Sequence, residues 1–343
     1  MDKKLFGILD TGAEVYEYTL KNDVAEVGII TFGGTIRRFN VYGRDIVGGY
    51  DTLDGYIADD SHQGGVIGRV ANRIGGARFS MDGVTYHLPK NDGENCLHGG
   101  CGFDRRIFEV ADLSQTDAPD GYGKTSLTLT YTSADGEEGF PAEVAVAVSY
   151  NLIGAELLIS YVAIPSGKTP IALTNHAYFN LDGLGGDVLG QKIRIYADKY
   201  TEVGEDLIPT GKSPALAGSP LDLNEWRNIG EGILENGGYD HNYIVKPQES
   251  KSYGVLNLGL VAEVEGRDLC MKVYTDQPGI QFYTGNFLGG APDFKGGVKR
   301  IKHGALCLET QTAPDSVNHG VGFYDAGQIY SHNTVYAVER KDA

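Results

Sequence analysis

At 343 residues the chain is long enough to bury a large core, and its 41% hydrophobic and 22% charged content is ordinary globular material. Its 29 Lys and Arg against 46 Asp and Glu leave a net charge of −17, which disfavours nucleic acid, because neutralising phosphate takes clustered cations. No window approaches the ~20 apolar residues of a membrane helix, and the opening MDKKLFGILDTGAEVYEY lacks the apolar stretch of a signal peptide.

Glycine is frequent, 49 of 343, and tyrosine reaches 21. Glycine at turns with aromatic and β-branched residues between them predicts many short strands. In chain order, TSLTLTYTS (125–133), EVAVAVSYNL (143–152) and ELLISYVAI (156–164) alternate apolar and polar residues, with turn material between them. They predict an antiparallel meander with one face on a core. KIRIYADKYTEV (192–203) and DLCMKVYTD (268–276) read the same way, and LNEWRNIGEGI (223–233) has room for a turn or two of helix. Helical periodicity is otherwise absent, so the expected fold is all-β: one large antiparallel β-sandwich domain over residues 1–343. Cys96, Cys101, Cys270 and Cys307 include no CxxC pair, which predicts buried, reduced thiols. With no N-x-S/T sequon, these features point to the cytoplasm.

Several stretches carry chemistry-bearing residues. GGVIGRVANRIGGARF (64–79) contains no phosphate-loop motif and reads as glycine-rich turns, except that Asn72-Arg73 could hold hydroxyl oxygens. In ENCLHGG (94–100), His98 precedes two glycines that would let a ligand approach the backbone, or is a surface turn histidine. TNHAYFNL (174–181) places His176 among aromatics, where it is a core histidine, a metal ligand or an acid. GGYDHNYIV (237–245) offers Asp240, which is alternatively an Asx turn. GIQFYTGNFL (279–288) interleaves Gln281 with Phe282, Tyr283 and Phe287, as core packing or as an aromatic sugar platform. GALCLETQTAPDSVN (304–318) runs from apolar residues into Glu309, whose pKa burial would raise above ~4.3.

Taken in order, GRVANRIGGARF, NDGENCLHGG, DGEEGFP, LTNHAYFNL, LIPTG, YDHNYIV, QFYTGNFL and LETQTAPDSVN resemble the aldose 1-epimerase (mutarotase) family over nearly the whole chain. The resemblance implies a galactose mutarotase-like supersandwich with a shallow sugar cleft on one sheet. It implies His176 as proton donor and Glu309 as acceptor, with Asn72, Arg73, His98, Tyr178, Asp240 and Gln281 binding the sugar. GFDRRIF (102–108) lacks the tryptophan often found after this stretch, and HGVGFYDAG after Asn318 is not the usual proline-rich tail. Both are expected to lie off the catalytic set.

Anomer exchange requires a proton off the C1 hydroxyl and a proton onto the ring oxygen, which a positioned base and acid supply with no cofactor and no metal. A cage of His98, His176, Asp240 and Glu309 is the metal alternative. The expectation is that nearby carboxylates keep His176 charged, giving a bell-shaped pH–rate profile with an alkaline limb above ~6.5. The rival functions are a hexose-6-phosphate 1-epimerase, a non-catalytic carbohydrate-binding protein and a glycoside hydrolase using Asp240 with Glu309. The expected partner is a small sugar, and the expected state a monomer or homodimer.

Overall fold

The computed structural model describes residues 2–116 and 124–341. Its largest sheet is antiparallel and begins with the meander that alternation predicts. Glu109–Thr116, Lys124–Ser133, Val144–Ile153 and Glu156–Pro165 pair in sequence order. Tyr330–Arg340 then pairs with Glu156–Pro165, followed outward by Leu269–Thr275, Leu256–Glu265, Lys192–Ile195 and Arg227–Asn228. The turn at Gly154, with φ of 56°, uses glycine's tolerance of the left-handed region.

A second antiparallel sheet of five strands has the order Tyr178–Phe179, Leu306–Gln311, Gly279–Tyr283, Asp240–Val245 and Ala197–Tyr200. A third is the N-terminal meander running from Asp2–Ile8 to Arg44–Asp45. One apolar core joins all three: Leu20, Val27 and Phe39 from the N-terminal sheet, Leu127, Val146 and Tyr150 from the large one, and Tyr243, Phe282 and Leu308 from the second.

The helix anticipated within 223–233 starts later, at Ile229–Asn236. Asn228 explains the shift, since its side chain accepts from the Glu231 N–H at 3.3 Å and caps the first turn. Gly237, with φ of 81°, ends the helix. A second short helix, Leu53–Ile57, carries no apolar periodicity to predict it and is capped by Thr52. The cysteine expectation holds in part: all four are free, and Cys96 and Cys307 are buried, but Cys101 is exposed and Cys270 half-buried. Among the described residues, no helix is long and apolar enough to cross a membrane.

Candidate active site

Strand register builds the floor of the site. Asp240 lies opposite Tyr283, Tyr283 opposite Cys307, and Cys307 opposite Tyr178; Asn242, Gln281 and Glu309 form the next row. Side chains alternate along a strand, so these residues share one face of the sheet. Phe179, Tyr243, Ile280, Phe282, Leu306 and Leu308 take the other face and enter the core. QFYTGNFL is thereby divided: Phe282 is core, Tyr283 faces the cleft, and Phe287 stands 79% exposed at its rim.

Loops wall this face. His176 is anchored by its N–H to Gly65 O at 3.0 Å and by the Gly64 N–H to its own carbonyl at 2.9 Å. Opposite, Arg73–Ile74 pairs with Cys96–Leu97. Beside this pairing the Asn72 N–H donates to His98 Nδ1 at 3.2 Å, while the His98 N–H donates to Asn72 O at 3.1 Å. Arg73 Nε donates to Asp92 at 2.7 Å, and Gln281 Nε2 donates to Asp240 at 2.7 Å. All eight residues implied by the resemblance, Asn72, Arg73, His98, His176, Tyr178, Asp240, Gln281 and Glu309, line this one cleft.

The two glycines after His98 serve another purpose than the one expected. A β-carbon on Gly99 would collide with Gly68 O and Arg69 N, and one on Gly100 with the Glu138 carboxylate. The close approach is by the chain itself, not by a ligand. His98 is buried and is no surface turn residue.

His176 Nε2 lies 3.6 Å from Glu309 Oε1. That is too long for a hydrogen bond, though open spacing is usual where groups tighten around a substrate. Behind the ring, Cys307 Sγ is 3.5 Å from Nδ1. Glu309 Oε2 is buried and meets no protein partner among the described residues, so a ligand hydroxyl would supply the missing bond.

Burial controls the protonation of this pair. It pushes His176 down to about 3, helped by His62, against weaker opposite pulls from its own backbone, Asp59 and Asp104. Burial, reinforced by Asp240, pushes Glu309 well above its ordinary value, and Arg73 only partly offsets this. The expectation that carboxylates keep His176 charged is therefore corrected. Burial favours the uncharged form of each group, because taking two charges out of water costs more than their attraction returns. Burial also raises Asp240, against its bond from Gln281.

His98, His176 and Glu309 bring three ligand atoms within 4.8 Å of one another, without Asp240. The donor set fits a metal poorly. Nδ1 of His98 accepts the Asn72 N–H, so the neutral ring carries its proton on Nε2 and has no lone pair there for an ion.

Sequence reasoning did not single out His62, Asp60, Ser61, Leu97 or Leu288, which also line the cleft. Tyr283, named with Gln281 as core packing or sugar platform, faces the cleft, two residues beyond Gln281 on the same strand face. His62 lies in a loop, where no periodicity marks orientation. GFDRRIF, expected to lie off the catalytic set, does not line the cleft, though Asp104 Oδ2 is 2.9 Å from Nδ1 of the cleft residue His62.

The fold and cleft define a class: an antiparallel β-supersandwich whose one sheet face and overlying loops bring a buried histidine, a buried carboxyl and side-chain amides into one cleft. The family model for aldose 1-epimerase matches residues 16–337. Galactose mutarotase from Bos taurus is 39% identical over 347 residues, covering 97% of this chain and 96% of that enzyme. Aldose 1-epimerase from Escherichia coli K12 is 35% identical over 286 residues, 80% of this chain and 79% of that one. The crystal structure of galactose 1-epimerase from Lactobacillus acidophilus NCFM shares the fold, with a TM-score of 0.85 at 22% identity over 99% of both chains. The chain belongs to the aldose 1-epimerase family, isomerases that interconvert the α and β anomers of free aldoses.

Proposed function

We propose that His176 and Glu309 carry out this anomer exchange, on free hexoses such as galactose and glucose. The observation that carries the reading is the pairing of two buried groups 3.6 Å apart across a cleft otherwise lined by hydroxyl-binding side chains. The pair holds one proton in total. As sugar binds, that proton moves from the Glu309 carboxyl to His176 Nε2, with sugar hydroxyls replacing water around the charges. The Glu309 carboxylate then takes the C1 hydroxyl proton, His176 Nε2–H protonates the ring oxygen O5, the C1–O5 bond breaks and C1=O forms. After rotation about C1–C2, O5 attacks the other carbonyl face. Its proton returns to His176, and Glu309 returns its own to the carbonyl oxygen.

Asn72, Arg73, His98, Tyr178, Asp240 and Gln281 hold the ring in this reading. The Asn72 carboxamide oxygen accepts the Arg73 N–H at 2.8 Å, which turns its NH2 group free. A hexose 6-phosphate suits the cleft less well: among the described residues Arg73 is the one Arg or Lys in its lining, against Asp60, Asp240 and Glu309. Mere sugar binding would not require an acid and a base to face each other in the dry. We further infer a cytoplasmic monomer or homodimer, supported by four free cysteines.

Polarimetry of freshly dissolved α-D-galactose and α-D-glucose tests the assignment. Wild type is expected to speed loss of the α anomer, and His176→Ala and Glu309→Gln to fall close to the buffer rate. Wild type no faster than buffer would overturn it.

A further inference from the structure

His62 is the cleft histidine that the reaction above leaves unused. Its ring centroid lies 4.7 Å from that of His98 and 6.0 Å from that of His176, so three imidazoles form one wall. Its Nδ1 sits 2.9 Å from Asp104 Oδ2. Asp104 is 6% exposed. Burial alone would raise its pKa, but the hydrogen bond from His62, with the charges of His62 and Arg105, outweighs burial and holds it below its ordinary value. An ionised carboxylate only accepts, so Nδ1 carries the hydrogen. Nε2 is left as the polar edge, and it meets no protein partner among the described residues.

The loop under His62 is built with unusual care. Asp59 accepts from Tyr50 at 2.6 Å and from the Gln63 N–H at 2.8 Å. Arg105 donates to the carbonyls of Tyr56 and Ile57 at 2.6 and 3.2 Å, and to that of Asp59. His62 itself is held at φ of 55°, in the left-handed region that non-glycine residues avoid. Asn72 and His98, on the same cleft, share this conformation at φ of 64° and 55°. Backbone strain of this kind persists only where surrounding structure enforces it, and it gathers at ligand sites. A surface histidine needs neither a buried carboxylate behind it nor a braced, strained loop beneath it.

We propose that His62 is a sugar-binding residue, oriented by Asp104 as its positioning residue, and that its Nε2 holds one hydroxyl of the bound aldose. The inference rests on the sugar-epimerase reading of this cleft. A hydroxyl can donate to the Nε2 lone pair of the neutral ring or accept from the N–H of the charged one. The contact discriminates among aldoses, because a site built around a hydroxyl rejects the analogue that lacks it.

The test compares wild type, His62→Phe and Asp104→Asn on galactose and on a series of monodeoxygalactoses, with thermal unfolding to show that each variant is folded. For His62→Phe we expect KM for galactose to rise about 10-fold, with a smaller change in kcat. Asp104→Asn, which keeps the bond and drops the charge, should fall between. With one deoxy sugar, the one lacking the hydroxyl that His62 holds, the variant-to-wild-type KM ratio should collapse towards 1. An unchanged galactose KM in His62→Phe, or the same ratio for every deoxy sugar, would overturn the proposal, the latter because a purely structural role penalises all substrates alike. Calorimetric galactose affinities separate the two readings. If wild type binds without turnover, the epimerase reading fails while the His62 contribution is still read in Kd. If wild type binds no galactose, both fall.

Discussion

The large sheet and the site-bearing sheet follow the same alternation with opposite consequences. On Lys124–Ser133 and Val144–Ile153, the face turned from the core carries Thr128, Thr130, Ala147 and Ser149, none of them fully buried. The Thr128 and Ser149 hydroxyls meet across the strands at 2.8 Å, within reach of water. On Leu306–Gln311 every residue is buried on both faces, so Glu309 and Gln311 sit polar and dry, Glu309 in the cleft walled by the loops that carry Asn72, His98 and His62. An outward polar face hydrated by solvent keeps ordinary properties. The same face roofed over loses its water, and its pKa values move by burial. Reactivity here comes from what covers a sheet, not from the strand pattern.

The largest test of that contrast is Glu309→Gln, which keeps shape and polarity and removes the base. We expect kcat to fall by about 10³-fold, read by polarimetry on protein with a native unfolding transition. Its neighbour Leu308 points the other way, into the core. Leu308→Ala should cost about 2–5 kcal/mol of stability, measured by urea unfolding, with far less change in kcat for the fraction still folded.

Next comes pH. In the proposed mechanism the pair carries one proton: a second, gained through His176's lowered value of about 3, removes the base, and loss of the last, through Glu309's raised value, removes the acid. kcat/KM should therefore be flat from above His176's value of about 3 up to the raised value of Glu309, with limbs that belong to the pair. A sharp optimum confined near pH 6 would break this account.

Stability should follow the same sign. A carboxyl whose folded pKa is raised contributes stability that is present below its unfolded value of ~4.3 and lost as pH climbs towards the folded value. Glu309→Gln should thus raise Tm, by a margin that widens from pH 5 upwards in calorimetry. The smallest effect belongs to the wetted face: Thr128→Ala should change stability by about 0.5 kcal/mol or less and leave activity untouched.

Much of the fold was legible in the sequence. The runs at 125–133, 143–152 and 156–164 became strands within a residue or so of their predicted ends, because a half-buried strand writes period-two alternation into its own sequence. The stretch 223–233 does hold the start of a helix, but where it begins is decided by a single cap, Asn228. Within the site, Gln281 and Glu309 stood out as polar residues in apolar runs, Asn72, Arg73, His98, His176 and Asp240 were singled out with alternatives open, and the resemblance supplied Tyr178 and the roles. His62 and its support by Asp104 were invisible, since loop side chains carry no periodic signal.

What the sequence determined by itself is the local and the chemical: alternating strands, turn positions, the residue types for acid–base chemistry, and the family. What only the tertiary structure decided is which way burial moves the pKa values of those groups and which loop residues join them. The pairing of His176 with Glu309 joins a loop and a strand far apart in the chain, and the roof that dries them comes from yet another segment. Burial is a property of the assembled molecule, and burial, more than any neighbouring charge, sets the proton balance on which this site runs.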